Sequence, residues 1–192
     1  MRLRDYLAQP TVDMAALAAR LDGLDAATRV REVRTLGKRE QARLFDASAG
    51  FRTLDLAHFV PAGTPPLATV RHYGRNSLAV ANRFEKRFCR PEGSGTELWG
   101  YNEHAGRWLT GPGYFVARPV EGGEVDLDYF TLPPGKPSDW PPILPNAARL
   151  GRFIYDHTRD RMRGVSAQVA IGRDVRDGKP LDVWFVLCRA GD

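Results

Sequence analysis

The stretch from Val165 to Arg189, reading VSAQVAIGRDVRDGKPLDVWFVLCR, limits the possible folds of this chain more than any other. It reads as two strands joined at Asp177-Gly178, because Asp-Gly supplies the positive φ angles that a tight reversal of right-twisted strands requires. Lys179-Pro180 adds the expectation of a loop slightly longer than two residues. In the return strand Val183, Phe185 and Leu187 point one way, and Trp184, Val186 and Cys188 the other. Neither face offers a polar stripe to water, so the strand must be central and covered on both sides by the rest of the chain.

The first fifty residues read as short helices that supply part of that cover. Met14, Leu17, Ala18 and Leu21 recur at helical spacing behind a cap at Thr11 or Asp13, and Gly23 is placed to end the element. Asp25 caps a second helix with Val30, Val33 and Leu36, which stops at Gly37, and a third runs from about Lys38 to Ser48 with Leu44 and Phe45 apolar. Helices this short depend on packing of their apolar faces. Leu54 to Pro61 is one more helical turn or the lead into the first strand.

Ala62 to Pro66, AGTPP, marks the clearest change of pattern. After it, strands are expected near Leu67 to Tyr73, Glu97 to Glu103, Gly113 to Val120 and Glu124 to Leu132, separated by Gly and Pro turns. Asn82 to Arg90 fits two periods. Phe84 and Phe88 lie four apart and would share a helix face with Leu78 and Ala81, whereas Phe84, Lys86 and Phe88 alternate as in a strand; the helical reading, beginning at Asn76, is preferred. The proline-rich Leu132 to Pro145 reads as an ordered surface loop pinned by Trp140 and Ile143, and Asn146 to Asp160 as a helix or a strand. The expected class is α+β. A helical unit over residues 1–61 precedes an antiparallel β domain over 62–192, with about seven or eight strands curled or closed into a barrel that leaves no edge exposed.

Composition bounds the function. The net charge of +5 invites phosphate binding, but arginine outnumbers lysine 24 to 4 and the basic residues are interleaved with Asp and Glu, which argues for a solvated mixed surface and against nucleic acid. No apolar run is long enough to span a bilayer and the opening residues lack a secretory h-region, so a cytoplasmic location is expected. Cys89 and Cys188 have neither a disulfide framework nor a zinc spacing around them, and are expected to be buried thiols. The histidines form no H-x-x-x-H or H-x-H pair, so no metal site is expected, and no motif specifies a cofactor.

Gly106-Arg107-Trp108 resembles the Gly-x-Trp of lipocalins, Asp128-Tyr129 resembles part of their second motif, and the ending from Ile154 is similar in cadence to the last strands of calycin-type barrels that bind lipids. That resemblance implies an interior cavity for a small apolar or amphipathic ligand. The residues expected to bind it are Trp99, Tyr101, Trp108, Arg118, Tyr129 and Trp184, since amphipathic rings give a flat apolar wall with a polar tip and a guanidinium would hold a carboxylate. The leading expectation is a binding module for such a ligand, lipid-like or carboxylate. An enzyme in the same pocket, with His72 or His157 beside Asp156 as acid or base, is the alternative. A third reading is an interaction protein or homo-oligomer whose N-terminal helices meet a partner.

Overall fold

In the computed structural model, which describes residues 1–79, 82–93 and 95–191, eight antiparallel strands close into a barrel in sequence order. They are β1 (Val70–Asn76), β2 (Arg83–Cys89), β3 (Leu98–Glu103), β4 (Phe115–Val120), β5 (Glu124–Asp128), β6 (Thr158–Gly164), β7 (Val169–Arg176) and β8 (Lys179–Arg189). β8 pairs with both β7 and β1, which seals the barrel. The fold is therefore α+β, with an up-and-down barrel behind short helices, and it is compatible with a calycin-like barrel.

The β7–β8 hairpin is tighter than Lys179-Pro180 suggested. Arg176 pairs with Lys179, so only Asp177 and Gly178 lie in the turn, at φ 49 and 76. Two consecutive residues in the left-handed region match the strand twist. Pro180 is tolerated because the register shifts beside it, between Arg173 and Val175.

Residues Arg83 to Cys89 form a strand, not the expected helix. The alternation of Phe84, Lys86 and Phe88 prevails because β1 and β3 pair with the segment on both sides. Ala81, which the helical reading included, lies outside the described residues. Asn146 to Asp160 is neither one helix nor one strand: a 3-10 turn at Arg149–Phe153 precedes the start of β6 at Thr158.

The helices are α1 (Leu3–Leu7), α2 (Met14–Asp22), α3 (Ala26–Val33), α4 (Lys38–Ala47) and α5 (Leu56–Phe59), with α6 (Arg107–Thr110) between β3 and β4. Asp13, Asp25 and Asp55 cap α2, α3 and α5, each carboxylate accepting an N–H of the first turn. Leu17, Leu21, Val33, Leu36 and Leu44 pack with Val169, Ile171, Trp184, Val186 and Cys188 on the outer face of β7 and β8. The opposite face of β8 sends Phe185 and Leu187 into the barrel, so the strand is covered on both sides. The proline-rich loop lies over another part of the wall, where Trp140 packs with Cys89, Tyr101 and Tyr114 and donates to Thr69 Oγ1 at 2.7 Å.

Inside the barrel, three glycines make room for rings. A Cβ on Gly74 would stand 2.6 Å from the Phe84 ring, and one on Gly100 or Gly172 would stand 2.3 Å from Phe115 or Phe185. One end is plugged by α5: Phe59 is fully buried and stacks on Phe88 at 4.9 Å, beside Leu56, Val60, Leu98 and Leu187.

Candidate functional site

Above that plug the packing stops and a cavity of about 350 Å³ begins. Its walls include Phe84, Leu109, Ile154, Tyr155, Val183 and Phe185, and its floor is polar: Lys86, Asn102, Tyr129, Asp160 and Asp174. Leu78, Leu109 and Ile154 are substantially exposed, so the cavity reaches the surface at the α6 end. A larger depression, about 820 Å³, lies on the outer surface beside α1 and α4 and is lined by charged side chains such as Arg4, Arg39, Glu40 and Arg43. It lacks convergent buried polar groups, which the barrel cavity has.

Strand period brings the floor together. Lys86 and Asn102 are cross-strand partners on β2 and β3, and Asp160 and Asp174 are partners on β6 and β7. Tyr129 follows the end of β5. Lys86 Nζ donates to Asn102 Oδ1 at 2.8 Å, Tyr129 Oη at 2.5 Å and Asp160 Oδ2 at 3.0 Å, and its side chain is only 3% exposed. Its three protons are thereby used. The ammonium also lies 4.8 Å from the Phe185 ring centroid and 5.1 Å from that of Phe115, where ring quadrupoles favour it. Tyr129 Oη donates to Asp160 Oδ2 at 3.0 Å, and Asn102 Nδ2 donates to Tyr129 Oη at 3.1 Å and to Gly113 O at 3.0 Å.

Burial sets the titration of these groups, with neighbouring charge second. Asp174 is pushed well above the usual carboxylate range by desolvation and then by Asp160, with which it shares a hydrogen bond. Desolvation and the Asp160 charge also hold the Tyr129 phenol protonated far into the alkaline range. Toward the mouth, His104 Nε2 lies 3.1 Å from Tyr155 Oη and 3.2 Å from Thr110 Oγ1. Burial lowers the His104 pKa and raises that of Tyr155 to about 12. The floor is thus a buried ion pair with a second carboxyl beside it, whose ionisation burial and the neighbouring Asp160 charge oppose. Replacing such a set with apolar residues is often neutral or stabilising, so its presence in a hollow marks a functional candidate.

Of the ligand-binding residues expected from sequence, Tyr129 lies on this floor. Trp99 and Tyr101 face outward under the proline-rich loop, Arg118 lies on the outer wall in an ion pair with Glu97 at 2.8 Å, and Trp184 lies beneath the helices. Trp108 stands on α6 and is 73% exposed. His72 faces the interior, but its Nε2 is bound to Phe59 O at 2.9 Å, below the cavity. His157 is exposed beside Asp177, with Asp156 4.0 Å from its ring. Both cysteines are buried free thiols, their pKa raised by burial to about 12 for Cys89 and about 11 for Cys188. Among the described residues, no group of three or more His, Cys, Asp or Glu side chains could hold a metal ion, and no helix is long and apolar enough to cross a membrane.

Lys86, Asn102, Asp174 and Tyr155 are the residues that sequence reasoning passed over, while Asp160 enters it only as a carboxylate near His157 and His104 only as a residue of an exposed turn. A signal existed for Lys86, which interrupts the inward face Phe84, Phe88 at period two, and for Asp174, which ends the inward run Ala170, Gly172. No family model matches the chain, and neither a curated protein nor a solved structure matches it at a significant level.

Proposed function

We propose that this protein binds a small amphipathic molecule inside its barrel, with the apolar body along Phe84, Val183 and Phe185 and the polar end on the Lys86, Tyr129, Asp160 and Asp174 floor. One observation carries the reading: a closed barrel that is plugged by α5 at one end keeps a cavity of about 350 Å³ at the other, apolar in its walls and polar in its floor. That size and lining suit a small organic ligand. The helices over residues 1–61 then act as cover and plug. Their apolar residues Met14, Leu17 and Leu21 are spent against the barrel, which weighs against a partner-docking role for that face.

An enzyme in the same cavity is the second reading, favoured by the raised Asp174 carboxyl beside Asp160 and by the low-pKa His104 at the mouth. His72 and His157 are less well placed for it, since neither lines the cavity.

Native mass spectrometry combined with uptake of the neutral dye Nile red tests the binding reading. Wild-type protein is expected to carry a small-molecule adduct that denaturation removes, or to take up the dye once stripped. Val183→Trp, which fills the cavity, is expected to do neither while keeping the wild-type circular dichroism spectrum. Bare wild-type protein that ignores the dye, or a variant that binds as well as wild type, overturns the reading.

A further inference from the structure

We propose that the ligand held in the barrel carries an ammonium head group, seated against Asp174. The inference rests on the cavity being a binding site and states which chemistry it selects.

Donor accounting comes first. The protons of Lys86 Nζ go to Asn102, Tyr129 and Asp160, those of Asn102 Nδ2 to Tyr129 and Gly113, and that of Tyr129 Oη to Asp160. A carboxylate or phosphate entering the cavity would meet a floor whose donors are already engaged, and would stand beside two carboxyl groups. The arginine that sequence analysis expected to receive a carboxylate, Arg118, points away into its ion pairs with Glu97 and Asp128 on the outer wall.

Charge accounting points the same way. Two carboxyls, Asp160 and Asp174, share the floor with one ammonium, and Lys86 pairs with Asp160. Asp174 is left half-buried with its side chain lining the cavity. From the other elements, β1 contributes Asn76, and β8 contributes Val183 and Phe185, none of them charged. β2 contributes Arg83, which is exposed at the mouth and screened by water, while Arg176, on the same strand as Asp174, is held by the carbonyls of Phe153 and Ile154. Tyr129, Tyr155 and His104 complete the titratable set among the described residues, all neutral at pH 7 on the direction of their shifts. The aromatic wall already suits such a charge, since Lys86 Nζ sits between 4.8 and 5.6 Å from the rings of Phe84, Phe115, Tyr129 and Phe185.

The exchange balances without a co-reactant. At a pH where Asp174 still holds its proton, that proton leaves to solvent as the cation seats, and Asp174 becomes the counter-ion; no bond to carbon forms or breaks. Binding is therefore accompanied by release of up to one proton, and affinity rises as pH rises through the range in which Asp174 ionises.

Isothermal titration calorimetry with octylamine, octanol and octanoate, each in two buffers of different ionisation enthalpy, tests the assignment on the full chain. Octylamine is expected to bind about tenfold tighter than the other two, with a heat that depends on the buffer. Asp174→Asn is expected to abolish both the preference and the buffer dependence while retaining octanol. Octanol or octanoate binding as tightly as octylamine, with Val183→Trp blocking all three, overturns the ammonium assignment and leaves the cavity reading intact. An octylamine preference that survives in Asp174→Asn overturns the role of Asp174. Failure of all three probes to bind overturns both inferences.

Discussion

His72 and Lys86 are cross-strand partners on the inner face of the barrel, yet they serve opposite halves of it. The His72 ring turns toward the α5 plug, donates Nε2–H to Phe59 O and meets the Phe88 ring at 5.0 Å. Lys86 turns toward the cavity and reaches three polar partners. Both nitrogens are buried, and the two halves handle that burial differently. In the filled half the imidazole stays neutral, because desolvation lowers its pKa to about 4. In the hollow half Asp160 compensates the ammonium. A packed interior needs shape alone, whereas ionised groups around a void cost desolvation that packing could have avoided. The difference separates the part of the barrel that holds the fold from the part available for a ligand.

The sharpest way to break that distinction is to strip the charge pair. Lys86→Met leaves Asp160 buried without its cation and is expected to cost about 3–5 kcal/mol in urea denaturation. The double variant Lys86→Met/Asp160→Leu is expected to recover most of the loss. A single variant as stable as wild type would mean that the pair is solvated and that the two halves do not differ. Phe59→Ala attacks the other half and is expected to cost about 3–5 kcal/mol through the cavity it opens, without changing octylamine affinity. Equal loss of binding would show that plug and cavity act as one unit.

Much of this comparison was legible in the residues, and the illegible part has a physical cause. The caps at Asp13 and Asp25, the stop at Gly23 and the two-sided burial of β8 are local or periodic signals, and the structure follows them. β2 was misread because Phe84 and Phe88, four apart, satisfy a helical period as well as a strand period, and only pairing with β1 and β3 decides between them. Misreading β2 hides Lys86, since a lysine on a helix flank needs no partner whereas one on an inward strand face does. The floor combines residues from five separate places in the chain, and its convergence depends on barrel closure and register. Aromatic residue type was a poor guide: Tyr101 and Trp184 do fill cores, but on the outer face of the wall.

Acid should sharpen the contrast next. His72 binds protons less readily in the folded chain, so its contribution is fully present above its ordinary value of 6.5 and is lost as pH falls toward about 4. The loss is on the order of 3 kcal/mol, and His58 adds to it in the same direction. Asp174 has the opposite sign, since a carboxyl raised by burial lowers stability as pH climbs through its raised range. Denaturation of wild type, His72→Leu and Asp174→Asn at pH 7.5 and pH 4 separates the two. The first variant should flatten the acid limb, and the second should gain on wild type at the higher pH. Parallel pH profiles for all three proteins would remove titration from the account of either half.

The packing between the halves predicts a smaller effect. A Cβ on Gly172 would lie 2.3 Å from the Phe185 ring and 2.6 Å from Met162 Sδ, so Gly172→Ala is expected to cost about 1–3 kcal/mol by overpacking. Gly172→Ala/Phe185→Leu should recover part of that, because the ring that occupies the glycine's space is gone. A single variant as stable as wild type would show that Phe185 has room to move and that the cavity wall is softer than the ring packing implies.

The smallest expected effect concerns Trp108, a residue expected from sequence to bind the ligand inside the barrel. It is 73% exposed on α6, and its carbonyl accepts from Arg149 Nη1 at 2.5 Å, a bond that survives any change of side chain. Trp108→Ala is therefore expected to shift stability by less than about 0.5 kcal/mol in the same urea assay. Trp140→Ala, by contrast, removes a side chain only 3% exposed and should cost about 3–5 kcal/mol. If Trp108→Ala destabilised the chain as much as Trp140→Ala, the indole would have to be buried in solution, and the rim at α6 would be closed over the cavity instead of open beside it.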